Sequence, residues 1–414
     1  MNFLDFIYIL LLLIYIPLNP RFLFNREYRR IIRGRFFPGT GNNHEGTIWI
    51  HAVSVGEVKS LESFIPLLRA KSGKKIILSV TTPSGFRIAG EIFRDIDVIN
   101  GPFDLTFVIR RFIKKINPSI IILNELELWP NWISVSDKKR IPMIVINGRI
   151  SDRAFRRYKN VSFLIKRYIR KIDLFLIQED IYREKFIKLG ATDDQMKVSG
   201  NIKADEAVTS SGRTREPDKI VEFLGMDKPQ KKIVLFASTH ASDEEIFIPV
   251  LKKIREDFSI IIAPRHMNRI SELSGSLSES GLGFCVWGMG RPPAEEIIVF
   301  DRMGYLTELI KISDIVFMGG SFDPAIGGHN LYEPAVFGKK IIGGPCFNNF
   351  QSIGNELVKN GVYTVVTTGE SLADELKGLS EHTIKAASAP GINAVQKRSG
   401  AVEFSIREVL ELIQ

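Results

Sequence analysis

Cysteine and histidine are scarce in this sequence. Its 414 residues include six histidines and two cysteines, Cys285 and Cys346. Two cysteines cannot build a disulfide framework, and no Cys or His spacing matches a zinc site, so we expect a reducing compartment and no bound metal. The glycine-rich stretch 317–334 lacks the lysine of a nucleoside-triphosphate loop. These absences exclude disulfide scaffolds, zinc modules and P-loop sites.

Acidic residues are fewer than basic ones. The sequence has 47 Asp and Glu against 56 Lys and Arg, a formal charge of +9, which predicts an acidic partner. A basic run without an acid among its members lies inside the chain, at Arg153, Arg156, Arg157, Lys159, Lys166, Arg167, Arg170 and Lys171. Neither an aromatic-interleaved RNA motif nor a zinc finger accompanies it, so no nucleic acid is expected. The run is a solvated helix face or a surface for an anionic membrane, and the apolar N-terminus favours the membrane.

The N-terminus has no basic residue before its apolar run and no small-residue cleavage site after it, so a cleaved signal peptide is not expected. Residues 6–18 are apolar apart from tyrosine hydroxyls and the break at Pro17. Such a helix reaches roughly 20 Å, whereas the hydrocarbon core is about 30 Å thick. Six arginines follow between residues 21 and 35 and would keep this side cytoplasmic. We expect residues 1–35 to form a membrane anchor, either a short span or an interfacial helix; a buried core helix is the alternative.

Short β-branched runs alternate with amphipathic stretches from residue 47 onward, which is typical of parallel sheets covered by helices. The predicted strands are 47–53, 75–81, 119–124, 142–147 and 174–178, then 232–237, 258–263, 296–300, 314–318 and 339–343. The polar stretch 209–219 is interpreted as a linker or a surface loop. The pattern predicts an α/β fold with two Rossmann-like domains, 46–210 and 220–395, facing across a cleft, and a final helix at 399–414.

Ligands in such folds bind at the carboxyl ends of the strands, so the residues there are the candidate site. Glu57 follows the first strand in "HAVSVGE"; it is either an acid favoured by the helix dipole, which would lower its pKa, or a general base. Glu125 and Glu127 follow an apolar strand in "NELELWPNW", where burial is costly unless they are paired or face a cleft. Lys203 in "GNIKAD" is an ordinary surface lysine or a counter-charge for an anion.

The second half repeats this arrangement. Arg265 directly follows Pro264 at a strand end, where a guanidinium can hold a phosphate. His240 and His266 lack a carboxylate or cysteine at ligand spacing, so we do not expect them to bind metal. The Asp-x-Asp in "RDID" (94–97), which some metal-dependent glycosyltransferases use, has no further support and is interpreted as surface.

The stretch "FMGGSFDPAIGGHNLYEP" (317–334) completes a donor site. Gly319, Gly320 and Ser321 are expected to leave backbone amides open to an anion. Asn330 is expected to cap the next helix, and Glu333 suits the two hydroxyls of a ribose. A phosphate at the amides and a ribose at the acid describe a sugar-nucleotide site, which leaves His329 without a role.

The ordered motifs resemble the bacterial 3-deoxy-D-manno-octulosonic acid (Kdo) transferases of lipopolysaccharide synthesis, which have the GT-B glycosyltransferase fold. The resemblance covers nearly the whole chain and rests on "HAVSVGE", "TPSG", "GPFDL", "ELELWPN", "NGRISDRAFRRY", "GNIKAD", "STHASDEE", "PRH", "DRMG", "GGHNLYEP" and "GPCFNNF". It departs from the family pattern at Tyr305, Cys346 and Ala204, which bears on the finer donor contacts.

The resemblance implies a reaction and its residues. The family transfers Kdo from CMP-Kdo to a lipid A precursor (lipid IVA) with inversion, on the cytoplasmic face of the inner membrane, and no metal cofactor is expected. Glu57 would be the general base, and Glu125 and Lys203 would stabilise the transition state. CMP would be bound by Pro264, Arg265, Met303, Gly304 and Asn330 to Glu333. The alternatives are another GT-B enzyme using a UDP-sugar on a lipid acceptor, or a catalytically inactive membrane-associated sugar-nucleotide-binding protein.

Overall fold

The computed structural model describes residues 2–18, 26–39, 46–211, 231–289 and 297–413. The chain divides into two compact units, the first formed by Met1–Glu206 with Ser399–Gln414 and the second by Ala207–Arg398. Each unit contains one seven-stranded sheet in which all neighbouring strands are parallel. The predicted α/β fold class with two doubly wound sheets is therefore confirmed. Most of the predicted linker, from residue 212 to 219, lies outside the described residues.

The first unit is built around a sheet with the strand order β3-β2-β1-β4-β5-β6-β7. Its strands are β1 Thr47–Ala52, β2 Ile76–Val80, β3 Asp97–Asn100, β4 Pro118–Asn124, β5 Met143–Gly148, β6 Leu174–Ile177 and β7 Met196–Val198. Its helices up to the boundary of the unit are α1 Phe3–Leu18, α2 Arg26–Phe36, α3 Val55–Ser60, α4 Phe64–Ser72, α5 Pro83–Ile92, α6 Thr106–Ile116, α7 Pro130–Lys138, α8 Asp152–Asn160, α9 Ser162–Ile169, α10 Arg183–Leu189 and α11 Ile202–Ser211.

Helices cover both faces of this sheet, which explains the nearly continuous apolar strands. Alternate residues of β1 belong to two different apolar clusters, Trp49 to one and Ile48 with Ile50 to the other. Every residue of β1 and β2 is buried. Side chains on both faces thus leave water, so charged groups are left to the ends of the strands.

The second unit has the strand order β10-β11-β9-β8-β12-β13-β14. Its strands are β8 Lys232–Thr239, β9 Phe258–Pro264, β10 Phe284–Val286, β11 Ile297–Val299, β12 Ile315–Met318, β13 Lys340–Gly343 and β14 Tyr363–Val365. Its helices are α12 Ala241–Ile254, α13 Ile270–Glu279, α14 Leu306–Ile312, α15 Tyr332–Val336, α16 Gln351–Lys359, α17 Gly369–Gly378, α18 Glu381–Ala386 and α19 Ser388–Gln396.

The sequence pattern found the inner strands and missed the outer ones. The four strands without a predicted counterpart, β3, β7, β10 and β14, are the two edges of each sheet. They span only three or four residues, and most of their residues are partly exposed. An edge strand needs no apolar residues on its outer side, so it leaves little hydrophobic signal.

Helix α1 lies along the surface of the first unit. Near its start the buried carboxylate of Asp5 accepts a hydrogen bond from the Thr106 amide (2.7 Å). One side of the helix, including Tyr8 and Leu12, packs against the core of the unit, whereas Phe6 and Leu13 on the other side are 62% and 66% exposed. None of the helices in the described ranges combines the length and apolarity needed to cross a bilayer. The membrane anchor stays a prediction.

The final helix, α20 Ala401–Leu412, belongs to the first unit, and its Val402 and Ile406 complete an apolar cluster there. Gly400 precedes the helix with φ 97°, a conformation that favours glycine. The carboxylate of Asp205 accepts hydrogen bonds from the amides of Gly400 and Val402. Asp205 therefore caps a helix that is distant in sequence.

Replacing this remote cap will weaken the docking of α20. We expect Asp205→Ala to cost about 1 kcal/mol, the usual value of a lost helix cap, and to lower Tm by about 2–4 °C. Thermal unfolding followed by circular dichroism measures the change. Glu411→Ala, at an exposed position of the same helix, is the control. Equal Tm values for the two variants would contradict the capping role.

Candidate active site

Glu57 lies in the first turn of α3, directly after β1. Its Oε2 accepts a hydrogen bond from the Val53 amide (2.8 Å) and its Oε1 from the Ser54 hydroxyl (2.9 Å). The side chain is held firmly, and the residue is only 9% exposed. Burial raises the pKa of Glu57 to about 7, with the charge of Glu125 adding to the rise and the two hydrogen bonds opposing it. The direction is opposite to the one expected from the helix dipole alone.

Two further glutamates follow β4 beside Glu57. The carboxylate of Glu125 accepts a hydrogen bond from Arg149 Nε (3.0 Å), and both side chains are mostly buried. Glu125 has φ 61°, unusual for a residue other than glycine, and its amide donates to the Ile146 carbonyl in β5 (3.0 Å). Burial, together with the charges of Glu57 and Glu125, raises the pKa of Glu127 to about 7. Three carboxyl groups and one guanidinium therefore share this end of the sheet.

Asn124, the last residue of β4, joins the two glutamate-bearing segments. Its buried side-chain amide donates to the Glu57 carbonyl (3.0 Å) and to the Ser60 hydroxyl (3.0 Å). The backbone that carries Glu57 is thereby fixed to the strand end that carries Glu125. The structure brings these two predicted site residues together.

The backbone of Lys203 is held near the carboxyl ends of the same strands through a series of buried side-chain amides. Gln178 donates to Asn147 Oδ1 (2.9 Å), and Asn201 donates to Gln178 Oε1 (3.1 Å). Asn201 Oδ1 in turn accepts the Lys203 amide (3.0 Å). Asn147 lies two residues before Arg149. This series of hydrogen bonds therefore connects the Lys203 backbone to the end of β5, the strand that precedes Arg149.

Arg149 and Gln178 were not among the predicted site residues. Both stand at or just beyond the carboxyl ends of predicted strands, in "NGRISDR" and "LFLIQ". Strand-end position is the signal that would have found them. Their partners lie 24 and 31 residues away in sequence, so the pairing itself requires the fold.

The predicted CMP residues lie in the second unit, at the ends of its strands. Pro264 ends β9, and the Arg265 amide donates to Thr239 at the end of β8 (3.0 Å) while its side chain is exposed. Met303 is 58% exposed in the loop after β11, and Gly304 follows with φ 90°. These residues stay predicted donor contacts.

Asn330 and Glu333 contact each other. Asn330 Nδ2 donates to Glu333 Oε1 (2.9 Å), and Asn330 Oδ1 accepts the amide of Tyr332, the first residue of α15 (3.1 Å). The helix cap position is Leu331, one residue beyond the predicted Asn330, and the Asn330 side chain binds the first helical amide and orients the carboxylate. A carboxylate held in this way suits the ribose contact predicted for it.

The glycine-rich stretch differs from the expectation of open amides. The Gly319 amide donates to the Ala237 carbonyl (2.8 Å), and the Gly320 amide donates to the carboxylate of Asp243 (2.7 Å). A Cβ at Gly319 would stand 2.4 Å from the Ser238 carbonyl oxygen, so glycine is required there for packing. The buried Ser321 hydroxyl donates to Met318 and accepts from Gly344 (both 2.7 Å). The Gly320 amide, which was expected to bind a phosphate, therefore binds the carboxylate of Asp243.

The carboxylate of Asp243 accepts these hydrogen bonds although burial removes it from water. It is fully buried in the first turn of α12, and its Oδ2 also accepts the His240 amide (2.8 Å). Burial raises its pKa, and the amides of Gly320 and His240 oppose the rise by stabilising the charge.

Two doubly wound parallel sheets with polar groups at their strand ends define the GT-B class of architecture. A glycosyltransferase from Rickettsia africae has this fold at a TM-score of 0.60 (14% identity, 89% of this chain and 98% of that one). The UDP-GlcNAc 2-epimerase from Neisseria meningitidis matches at 0.61 (12% identity, 88% and 100%). At these identities the likeness shows the fold alone.

Sequence comparison identifies the family. Residues 29–206 match a family model described as 3-deoxy-D-manno-octulosonic-acid transferase. The 3-deoxy-D-manno-octulosonic acid transferase of Haemophilus influenzae is 31% identical over 370 residues, covering 86% of this chain and 84% of that protein. The Chlamydophila psittaci transferase is 28% identical over 359 residues (83% and 81%). The chain belongs to the Kdo transferase family and is a glycosyltransferase.

One relative is a longer protein. A bifunctional glycosyltransferase/methyltransferase of Fusobacterium nucleatum is 34% identical over 325 residues, which cover 77% of this chain. The chain spans half of the length of that protein. The activity of the other half of that protein is not attributed to this chain.

Breaking the amide chain will slow the reaction without removing a charged group. Gln178→Leu deletes the contacts to Asn147 and Asn201, so Lys203 loses its fixed position, and we expect kcat for glycosyl transfer to fall on the order of tenfold. Steady-state transfer rates measure this. Gln351→Leu, at an exposed position in the second unit, is the control. Unchanged kcat in a folded Gln178→Leu protein would contradict the positioning role.

Proposed function

We propose that the protein is an inverting glycosyltransferase that moves Kdo from CMP-Kdo to a lipid A precursor (lipid IVA) at the cytoplasmic face of the inner membrane, without a metal cofactor. Membership of the Kdo transferase family supports Kdo as the sugar that is transferred. The observation that carries the mechanism is the Glu57 carboxyl group, held by two hydrogen bonds and titrating near neutrality.

Glu57 is the proposed general base. Each of its oxygens accepts one hydrogen bond and keeps a second lone pair for the acceptor hydroxyl. A pKa of about 7 makes it a stronger base than an ordinary carboxylate, while much of it stays ionised at neutral pH. As the hydroxyl oxygen bonds to the anomeric carbon, its proton passes to Glu57. The bond from that carbon to the phosphate oxygen breaks, and CMP leaves with the electron pair.

Charged neighbours of Glu57 have complementary proposed roles. The anomeric carbon gains positive charge as CMP leaves, and the carboxylate of Glu125 is suited to stabilise it. Arg149 fixes that carboxylate, which supports its ionised form beside two other glutamates. Lys203 supplies positive charge for an anionic group of a substrate, and the amide chain holds its backbone in position.

The donor is proposed to bind in the second unit. Arg265 is exposed at the end of β9 and suits a phosphate, and Glu333, oriented by Asn330, suits the ribose hydroxyls. Pro264, Met303 and Gly304 complete the proposed CMP contacts. A nucleoside monophosphate leaving group carries less charge than a diphosphate, which is why we propose that side chains suffice without metal.

Two surfaces of the first unit support contact with an anionic membrane. Helix α1 presents exposed leucines and Phe6 on the side away from the core. Helices α8 and α9 carry the exposed residues Arg156, Arg157 and Arg167, and Phe163, which lies between them in sequence, is 75% exposed. Apolar side chains flanked by arginines are typical of interfacial helices on anionic lipid. A lipid acceptor gives both surfaces a purpose.

Removing the base will abolish transfer. We expect Glu57→Gln to lower kcat by at least about a thousandfold, because the amide cannot take the proton. Mass analysis of the product from CMP-Kdo and a tetraacyl lipid A precursor measures it. Glu62→Gln, at an exposed position nearby, is the control. Transfer at the wild-type rate by Glu57→Gln would overturn the assignment of Glu57 as the base. Formation of a product from a UDP-sugar instead of CMP-Kdo would overturn CMP-Kdo as the donor.

The pH profile checks the same group. The reaction needs the ionised carboxylate, so kcat/KM should rise with pH through about 7, the pKa of Glu57 in the folded protein. A rise centred between about 4 and 5, the ordinary range of a glutamate, would contradict the proposed burial effect.

Membrane contact has its own test. We expect Phe163→Ser combined with Arg157→Ser to reduce co-sedimentation with phosphatidylglycerol vesicles several-fold, since it removes both apolar and charge contributions. Phosphatidylcholine vesicles should bind the wild type weakly. Val358→Ser, a partly exposed position in the second unit, is the control. Equal sedimentation of both variants on anionic vesicles would remove α8 and α9 from the proposed surface.

A further inference from the structure

Three histidines converge in the second unit, at a place that the donor residues named so far do not explain. His240 Nε2 and His329 Nε2 are 2.8 Å apart, and the two ring planes are nearly parallel, 11° apart. His266 meets the His240 ring edge-on, with centroids 5.6 Å apart. The three residues come from the end of β8, the end of β9 and the loop after β12, so the tertiary fold assembles the cluster.

The contact between the two nitrogens fixes the protonation of the pair. One Nε2 must carry a hydrogen and donate, and the other must be unprotonated there and accept. Two fully protonated rings would place two N–H groups against each other and break the contact. The Cβ of a residue at position 320 would stand 3.0 Å from the His329 ring, so Gly320 is needed to seat that ring.

Within the described ranges, one positive charge near the pair has no ion-pair partner. Arg265 follows β9, is exposed, and forms no ion pair with any residue of the described ranges. Arg269, by contrast, is paired with Glu244 (2.6 Å) and Glu272 (3.0 Å). Two further acids of the described residues act here: Asp323, in the loop after β12, interacts electrostatically with His240, and Asp243 has its carboxylate engaged by amides.

These surroundings keep the pair uncharged while no anion is present. Burial lowers the pKa of His329 to about 3, and the charges of Arg265, His240 and His266 add to the effect. Burial also lowers the pKa of His240, with His266, Arg265 and Arg269 contributing and Asp323 opposing. An anion at Arg265 would act against both causes, because its negative charge offsets the repulsion and also stabilises a buried imidazolium by direct pairing.

We propose that His240, His329 and Arg265 form the anion subsite of the donor, and that the histidine pair takes up a proton when the anion binds. The inference rests on the proposed function, because the donor supplies the anion. Asp243 already engages the Gly320 amide, so we assign the charge of the ligand to these side chains instead. With a second proton the two rings part, and both Nε2–H groups donate to the ligand. The anion is either the phosphoryl group of CMP or the carboxylate of the sugar acid.

Calorimetry of CMP binding tests the proposal. At pH 7, titrations in buffers with different ionisation enthalpies count the protons exchanged, and we expect uptake of up to about one proton per CMP, or per Kdo where the carboxylate is the anion. His329→Gln should lose the uptake and bind about tenfold more weakly. His240→Gln should behave in the same way, and His382→Gln, at an exposed position of the same unit, is the control. Circular dichroism confirms that each variant is folded.

Cytidine and free Kdo identify the source of the anion. Uptake with CMP and none with cytidine assigns the subsite to the phosphoryl group, and uptake with Kdo and none with CMP assigns it to the carboxylate. Either result supports the proposal when His329→Gln removes the uptake. CMP or Kdo binding with unchanged affinity and proton count in His329→Gln overturns it while leaving the proposed function intact. Failure of the wild type to bind either CMP or Kdo would overturn both the anion subsite and the proposed function.

Discussion

The parallel direction of every strand in each sheet is the constraint on which the site depends. Helices cover both faces of such a sheet, so its inner strands are apolar throughout, and chemistry-bearing side chains emerge where the strands end. In the first unit, Glu57, Glu125 and Arg149 follow three different strands and still share one end of the sheet. In the second unit, His240 and Arg265 follow neighbouring strands in the same way.

Burial sets the chemistry at these strand ends. Glu57 and Glu127 lose solvation and lie near a third carboxylate, so both bind protons more tightly than exposed glutamates do. The same physics acts in the opposite sense on His329, where burial and positive charge favour the neutral ring. In each case desolvation is the largest cause, and the hydrogen bonds or neighbouring charges adjust its effect.

Sequence patterns predicted what depends on local composition. The inner strands and the strand-end position of Glu57 are visible in short apolar runs and in one motif, whereas the edge strands lack that signal. The raised pKa of Glu57 was not predictable, since the helix dipole alone gives the opposite direction and burial requires the fold. The occupied amide of Gly320 and the contact between His240 and His329 join residues 77 and 89 positions apart, beyond the reach of any local pattern.

The central claim is that Glu57 is a carboxyl group made basic by burial. Carbon-13 NMR of glutamate carboxyl groups, recorded across pH in the ligand-free protein, tests it most directly, with Glu57→Gln identifying the resonance. The account predicts a carboxyl titrating near pH 7 that is absent from the variant. A Glu57 resonance titrating between about pH 4 and 5, as in an exposed glutamate, would contradict it.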